Sequence, residues 1–417
     1  MKLAFSAIIL CLVAAPASGG PQAPASPTDE DCLTCHADPD AKRANGTSVL
    51  VAKEKLASSV HGQAGLSCVD CHADLAKVSD FPHAERLEPA QCASCHDAAA
   101  AEYAKGVHAR AISEGRQLAA RCGDCHGAHD ILPSKDPASR THHLNLPSTC
   151  ERCHGDPEVI RKSAIAVGDV GRLFEDSIHG KALRESGLIV APNCATCHEA
   201  HAILPNENPA SKVARGNVSA TCGSCHEGVE RLYAAGVHGS GFRSGNRKAP
   251  VCTDCHTAHR IQDPDVEAWR LEVLTECGSC HEESLRTYRD NYHGQVTALG
   301  FARMATCSDC HRPHDIFPAS DPRSTVSKAR RVETCQKCHA RANANFAGYD
   351  PHADPEDRSR NPLLHSVGLM MKGLLGGVFL FFGLHTVLWF PRSWKARRQT
   401  PDRETPPESP SEKDEGQ

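Results

Sequence analysis

The sequence predicts a mainly α-helical chain with much irregular coil, built from repeated two-motif units and ending in one long apolar helix. Three observations predict it. The pentapeptide C-x-x-C-H occurs eleven times in 417 residues. Aromatic residues make up only 5% of the chain, and long apolar periodic runs are missing, so side chains alone supply little core. Residues 363–390 are apolar, and the last 18 of them carry no charge.

The motifs stand at Cys32–Cys35–His36, Cys68–Cys71–His72, Cys92–Cys95–His96, Cys122–Cys125–His126, Cys150–Cys153–His154 and Cys194–Cys197–His198. They continue at Cys222–Cys225–His226, Cys252–Cys255–His256, Cys277–Cys280–His281, Cys307–Cys310–His311 and Cys335–Cys338–His339. They use 22 of the 23 cysteines; the other is Cys11. This pentapeptide attaches a c-type haem: two thiols add to the porphyrin vinyl groups and the adjacent histidine coordinates the iron. A zinc ribbon gives no reason for histidine after every second cysteine. A dithiol redox centre needs one motif in a βαβ setting, and disulfides leave the histidines unexplained. Eleven covalent haems c therefore form the expected apolar interior, a haem-cored cytochrome whose folding depends on its cofactor.

Each end of the chain speaks to location. Residues 1–18 read as a secretory signal, with Lys2, an apolar stretch containing Cys11, and a small-residue cleavage site at Ala15 to Ala17. A flexible linker is expected over 19–30, rich in Pro, Ala and Ser, and the periplasmic cytochrome domain over 31–360. The apolar segment 363–390 suits a transmembrane helix, with Lys372 toward the outer side and Trp389 at an interface. Arg392, Lys395, Arg397 and Arg398 follow it and mark a cytoplasmic side, ahead of a disordered cytoplasmic tail over 391–417. The expected location is the bacterial inner membrane, single-pass, with the haem domain in the periplasm. Gly373 and Gly377 form a G-x-x-x-G face. His385 lies within the span, where it ligates a b-type haem, meets quinone or makes a polar contact to a partner helix.

The motifs alternate between two types, opening five repeats at Cys32, Cys92, Cys150, Cys222 and Cys277 and a half repeat at Cys335. Before each second-type motif (Cys68, Cys122, Cys194, Cys252, Cys307) comes a tagged histidine: His61, His108, His179, His238 and His293. Three residues after four of these motifs stand His129, His201, His259 and His314; the first repeat carries His83 instead, and His352 closes the half repeat. Of 26 histidines, eleven end motifs and two, His365 and His385, lie in the apolar segment. The tagged and trailing histidines supply eleven distal ligands and leave His142 and His143 spare. With Met304 the one methionine of the expected soluble domain, bis-histidine, low-potential haems are expected to predominate. If the H-x-x-H segment is helical, both rings share one face and cannot grip one iron, so His129, His201, His259 and His314 are each expected to ligate a neighbouring haem.

Such a set is an electron conduit with no catalytic residue. The alternative is a multihaem reductase of a small nitrogen or sulfur oxyanion with one open-site haem; a polymerising filament fits the C-terminal anchor poorly. A net charge of −5 disfavours nucleic acid.

The repeated C-x-x-C-H…H-G…C-x-x-C-H-x-x-H-D-I-L-P unit over about residues 28–360 resembles multihaem c-type cytochromes of the doubled C-x-x-C-H kind. The C-terminal GLHTVLWFPRS resembles the anchors of cytochrome c subunits in menaquinol-oxidising cytochrome b/c complexes. That resemblance implies a b-type cytochrome or quinone as electron donor and another periplasmic cytochrome as acceptor. The small tetrahaem quinol dehydrogenases differ in carrying their anchor at the N-terminus.

Overall fold

Helices form where the motifs fall, because one helical turn sets two cysteines three residues apart on the same face. The computed structural model describes residues 26–84 and 87–399. The expected signal, Cys11, linker residues 19–25 and the tail beyond 399 lie outside them. Helices before the last run from four to twelve residues, with turns and coil between. Among the described residues there is no strand, only an isolated bridge between Lys42 and Ser48. The chain divides into two compact bodies, Met1–Trp269 with Pro313–Phe317, and Arg270–Arg312 with Pro318–Gln417.

Second-type motifs are one-turn helices with built-in caps. In four of the five an aspartate stands between the cysteines: Asp70, Asp124, Asp254 and Asp309. Each carboxylate accepts the backbone N–H of the residue before the first cysteine, from Ser67, Arg121, Val251 and Thr306, at 2.7 Å in every case. The carboxylate thus meets orphan donors and the positive end of the helix dipole together. In the third repeat Thr196 takes this place: its hydroxyl accepts the Asn193 N–H at 3.1 Å, and Asn193 Oδ1 accepts the Thr196 N–H at 3.3 Å.

The helices end at the motif histidine, which corrects the expectation that H-x-x-H lies on one helical face. In four repeats the next residue turns left-handed: Gly127 (φ 91°), Glu199 (66°), Thr257 (62°) and Arg312 (68°). The trailing histidine therefore leaves its motif along a new direction, outside the helix. It still faces the motif histidine of another repeat, for a reason of chain direction.

Two further devices recur. The glycine after a tagged histidine lies where two helices cross. A Cβ on Gly62, Gly180 or Gly294 would sit 2.0 Å from the carbonyl oxygen of Leu56, Phe174 or Tyr288, and one on Gly239 2.3 Å from that of Tyr233. The second repeat carries Ala109 here. Successive repeats are also stapled through backbone: Val60, Val107, Ile178 and Val237 donate their N–H to the carbonyls of Ile131, Ile203, Ile261 and Ile316 at 2.8 to 2.9 Å.

The protein's own core is small, as the composition implied. Most buried apolar residues are alanines, and Leu183 is the largest side chain fully enclosed.

The last helix, Pro362–Gln399, is long and apolar enough to cross a membrane, and its apolar window is unburied within the chain. It runs nine residues past the expected end at Phe390, through Pro391, so residues 391–399 are helical and only the remainder of the expected tail lies beyond. Lys395 to Arg398 favour helix, and the Arg398 guanidinium lies 4.3 Å over the Trp394 ring. At the other end, His365 Nδ1–H donates to the Pro355 carbonyl at 2.9 Å. Lys372 lies 3.7 Å from Glu356, an exposed ion pair of small worth.

The crossing glycines give a direct test. Gly180→Ala should lower the stability of the holoprotein by about 1–3 kcal/mol through overpacking, read as a lower melting temperature. Gly241→Ala, whose Cβ would meet nothing nearer than 3.8 Å, should leave melting unchanged or raise it.

Candidate haem-binding sites

The short motif helices, the left-handed exits and the inter-repeat staples together bring histidines from different repeats face to face. Ten imidazole pairs have ring centroids between 5.9 and 6.3 Å apart. Four join a tagged histidine to the motif histidine that opens the next repeat: His61 with His96 (5.9 Å), His108 with His154 (6.2 Å), His179 with His226 (6.1 Å) and His293 with His339 (6.1 Å). Five join a second-type motif histidine to the trailing or closing histidine of the following repeat. These are His72 with His129 (6.3 Å), His126 with His201 (6.1 Å), His198 with His259 (6.1 Å), His256 with His314 (6.0 Å) and His311 with His352 (6.3 Å).

The first repeat departs from this pattern and pairs within itself. His83 and His36 face each other at 6.0 Å. His238 stands on helix Val237–Arg243, as His108 stands on Val107–Ser113; His281 precedes helix Glu282–Asp290, as His226 precedes Glu227–Ala235.

The spacing is that of two imidazoles on opposite sides of one metal ion. With each nitrogen roughly 2 Å from the ion, the ring centroids fall about 6 Å apart. The protonation states agree. Burial, and then the facing imidazole, holds His108, His126, His198, His256 and His311 below the ordinary histidine value. That favours the neutral ring, the form that ligates.

The thiols are arranged for attachment and not for a metal cage. The first cysteines of the two motifs in a repeat touch: Cys32 with Cys68, Cys92 with Cys122, Cys150 with Cys194, Cys222 with Cys252, and Cys277 with Cys307. Burial pushes the Cys68 thiol up to about 12, with Asp29 adding to it. The 22 motif cysteines form no disulfide, and among the described residues no group of three or more His, Cys, Asp or Glu could hold a metal ion. In the first body one continuous cavity of about 4450 Å³ is lined by cysteines and histidines of eight motifs. A single-ligand pocket holds about 300–1,000 Å³, so this cavity has room for several large groups and fits covalent haem along its length.

The spare histidines are structural. His142 Nδ1 accepts the Leu144 N–H at 3.3 Å. His143 Nε2–H donates to the Ala191 carbonyl at 2.8 Å, and Asn193 Nδ2–H donates to His143 Nδ1 at 3.1 Å. Two features escaped the motif reading. The capping aspartate was visible as C-x-D-C-H in four repeats, whereas the partner repeat of each tagged histidine had no local signal.

Comparison with known proteins points the same way. Residues 116–266 match the outer membrane cytochrome MtrC/MtrF-like model, domains II/IV; residues 60–155 match cytochrome c3; residues 300–344 match the doubled CXXCH motif. The multiheme cytochrome MtrA of Shewanella baltica is 27% identical over 201 residues, covering 46% of this chain and 52% of that one. The C-type polyheme cytochrome OmcB of Geobacter sulfurreducens is 25% identical over 387 residues, covering 80% and 50%. The cytochrome c-type protein NrfB of Escherichia coli is 26% identical over 175 residues, covering 39% and 82%. The chain spans about half the length of MtrA and OmcB. No solved structure gives a significant match. Cytochrome models cover residues 60–266 and the doubled CXXCH motif covers 300–344, with the motif cysteines placed for covalent haem c: the chain is a multihaem c-type cytochrome.

Proposed function

We propose that this protein is an electron conduit of eleven bis-histidine haems, held in the periplasm by a single C-terminal span of the inner membrane. It takes electrons from membrane quinol or a b-type cytochrome and passes them to another periplasmic cytochrome. The observation that carries the reading is the set of ten imidazole pairs, which supplies a second ligand opposite ten of the eleven motif histidines. When bound, haem supplies reversible one-electron iron chemistry, and two histidine ligands favour a lower potential than His/Met.

The residues order the cofactors. Motif cysteines touch within a repeat, and Cys71 lies near Cys95, Cys125 near Cys150, Cys197 near Cys222 and Cys310 near Cys335 across repeats. Attachment sites adjacent in sequence are thus adjacent in space, and within each body the electron path follows the chain. Paired ligation leaves those sites without an open iron position, which disfavours a small-substrate reductase.

The oxidised holoprotein should give only low-spin ferric EPR signals, and carbon monoxide should bind no haem after reduction. A high-spin, ligand-binding haem would instead make that iron an active site. The wiring has its own test: His201→Met should alter the spectrum and raise the potential of the haem attached at Cys122 and Cys125, leaving the one held by His198 unchanged. A change confined to the His198 haem would refute the crossed assignment.

A further inference from the structure

The residue seven positions before an opening motif makes the same connection in three consecutive repeats, with different chemistry in one of them. Arg215 precedes Cys222. Its Nη2–H donates to the Ala249 carbonyl at 2.9 Å, and its Nη1 lies 3.0 Å from Asp254 Oδ1. Arg270 precedes Cys277. Its Nε–H donates to the Ala302 carbonyl at 3.0 Å and its Nη2–H to Asp309 at 2.9 Å. His143 precedes Cys150, donating to the Ala191 carbonyl and accepting from Asn193. All three carbonyls belong to buried alanines. In each case the lead-in to the first motif is tied to the cap of the second motif of the same repeat.

The chemistry on the two sides is matched. Where the second motif is capped by a carboxylate, Asp254 or Asp309, the tie is arginine, whose fork bridges carboxylate and carbonyl together. Where the cap is neutral, Asn193 with Thr196, the tie is a neutral imidazole. Nε2 carries the proton, because a carbonyl only accepts, so Nδ1 presents its lone pair to the Asn193 amide. The amide cannot turn over without loss. Its Nδ2–H also donates to the His143 carbonyl at 3.1 Å, and its oxygen caps Thr196. An arginine at 143 would find no carboxylate at 196, and an aspartate at 196 would find no cation at 143.

The location gives the tie its consequence. It joins the two segments whose first cysteines touch, Cys150 with Cys194, Cys222 with Cys252 and Cys277 with Cys307. We propose that His143, Arg215 and Arg270 are equivalent positioning residues that set the placement of the two attachment sites within a repeat, each matched to the residue between the cysteines of the second motif. This rests on the reading that both motifs of a repeat carry haem, and it gives His143 a role other than ligation.

The test is a double-mutant cycle on the full-length holoprotein: H143R, T196D and H143R/T196D, with Arg270→Gln as a variant that introduces no new charge. Each of H143R and T196D should lower the melting temperature by about 2–4 °C, the shift of a 1 kcal/mol loss in a domain of this size. The double variant should regain at least half of the loss. In a potentiometric titration each single variant should displace the components of the haems at Cys150 and Cys194, with recovery in the double variant. R270Q should displace those at Cys277 and Cys307. Additive melting losses would overturn the matching, and an unmoved titration in all variants would reduce the ties to plain stabilisers. Failure of the conduit reading would leave the melting cycle untouched.

Discussion

Each imidazole pair after the first is assembled from two repeats, so a repeat cannot complete its own sites. The tagged histidine reaches forward to the opening motif of the next repeat, and the trailing histidine reaches back to the second motif of the previous one. His179 faces His226 while His201 faces His126, so the third repeat contributes to both neighbours. The usual rule for repeat proteins is that each unit buries its apolar face only against neighbours. Here the shared element is a pair of facing imidazoles, the ligand pair of the proposed haem sites, instead of an apolar surface. That explains how a chain whose buried set is largely alanine and serine specifies one arrangement. The order comes from coordination and covalent attachment, with apolar packing secondary.

The same constraint accounts for the places where the chain resists local preference. Glu199, Thr257 and Arg312 adopt left-handed φ with extended ψ, a region nearly reserved for glycine, at a cost of order 1–3 kcal/mol each. Thr257, being β-branched, is the least suited of the three. A helix that continued past the motif histidine would carry the trailing histidine around its own axis. The left-handed turn instead sends it to the preceding repeat, where the trailing segment receives the Val107, Ile178 or Val237 N–H. Gly127 makes the same turn without strain. The three other repeats hold it by what surrounds it.

What the sequence made legible was whatever the cofactor chemistry demands locally. Cysteine spacing, the adjacent histidine and the tags recur because attachment and ligation have short-range rules. The recurrence of the tags separated His61 and its counterparts from His142 and His143. Through-space partners had no such mark: nothing near His108 names His154, and nothing near Arg270 names Asp309. The H-x-x-H reading is conditional on a helix, and that condition fails where a residue such as Glu199 breaks it; His201 nonetheless faces the motif histidine of another repeat. At the C-terminus, the span is expected to end at Phe390, where the apolar run stops and Pro391 follows. A helix already formed over seven turns tolerates the one lost hydrogen bond and continues over residues that favour it.

The first repeat shows most clearly why the pattern is a consequence of wiring and not of ancestry alone. The second and third repeats each set one histidine against the next repeat and one against the previous repeat. An end repeat receives only from one side, so its opening motif lacks a donor and its trailing histidine lacks a site. These two deficits cancel if they meet, which requires the trailing histidine to leave its usual place three residues after the motif. His83 lies eleven residues after His72 and faces His36, with rings inclined by only 7°. The opposite end solves the reciprocal problem with half a repeat. Its motif at Cys335 receives the forward ligand His293, and His352 gives the backward ligand to His311.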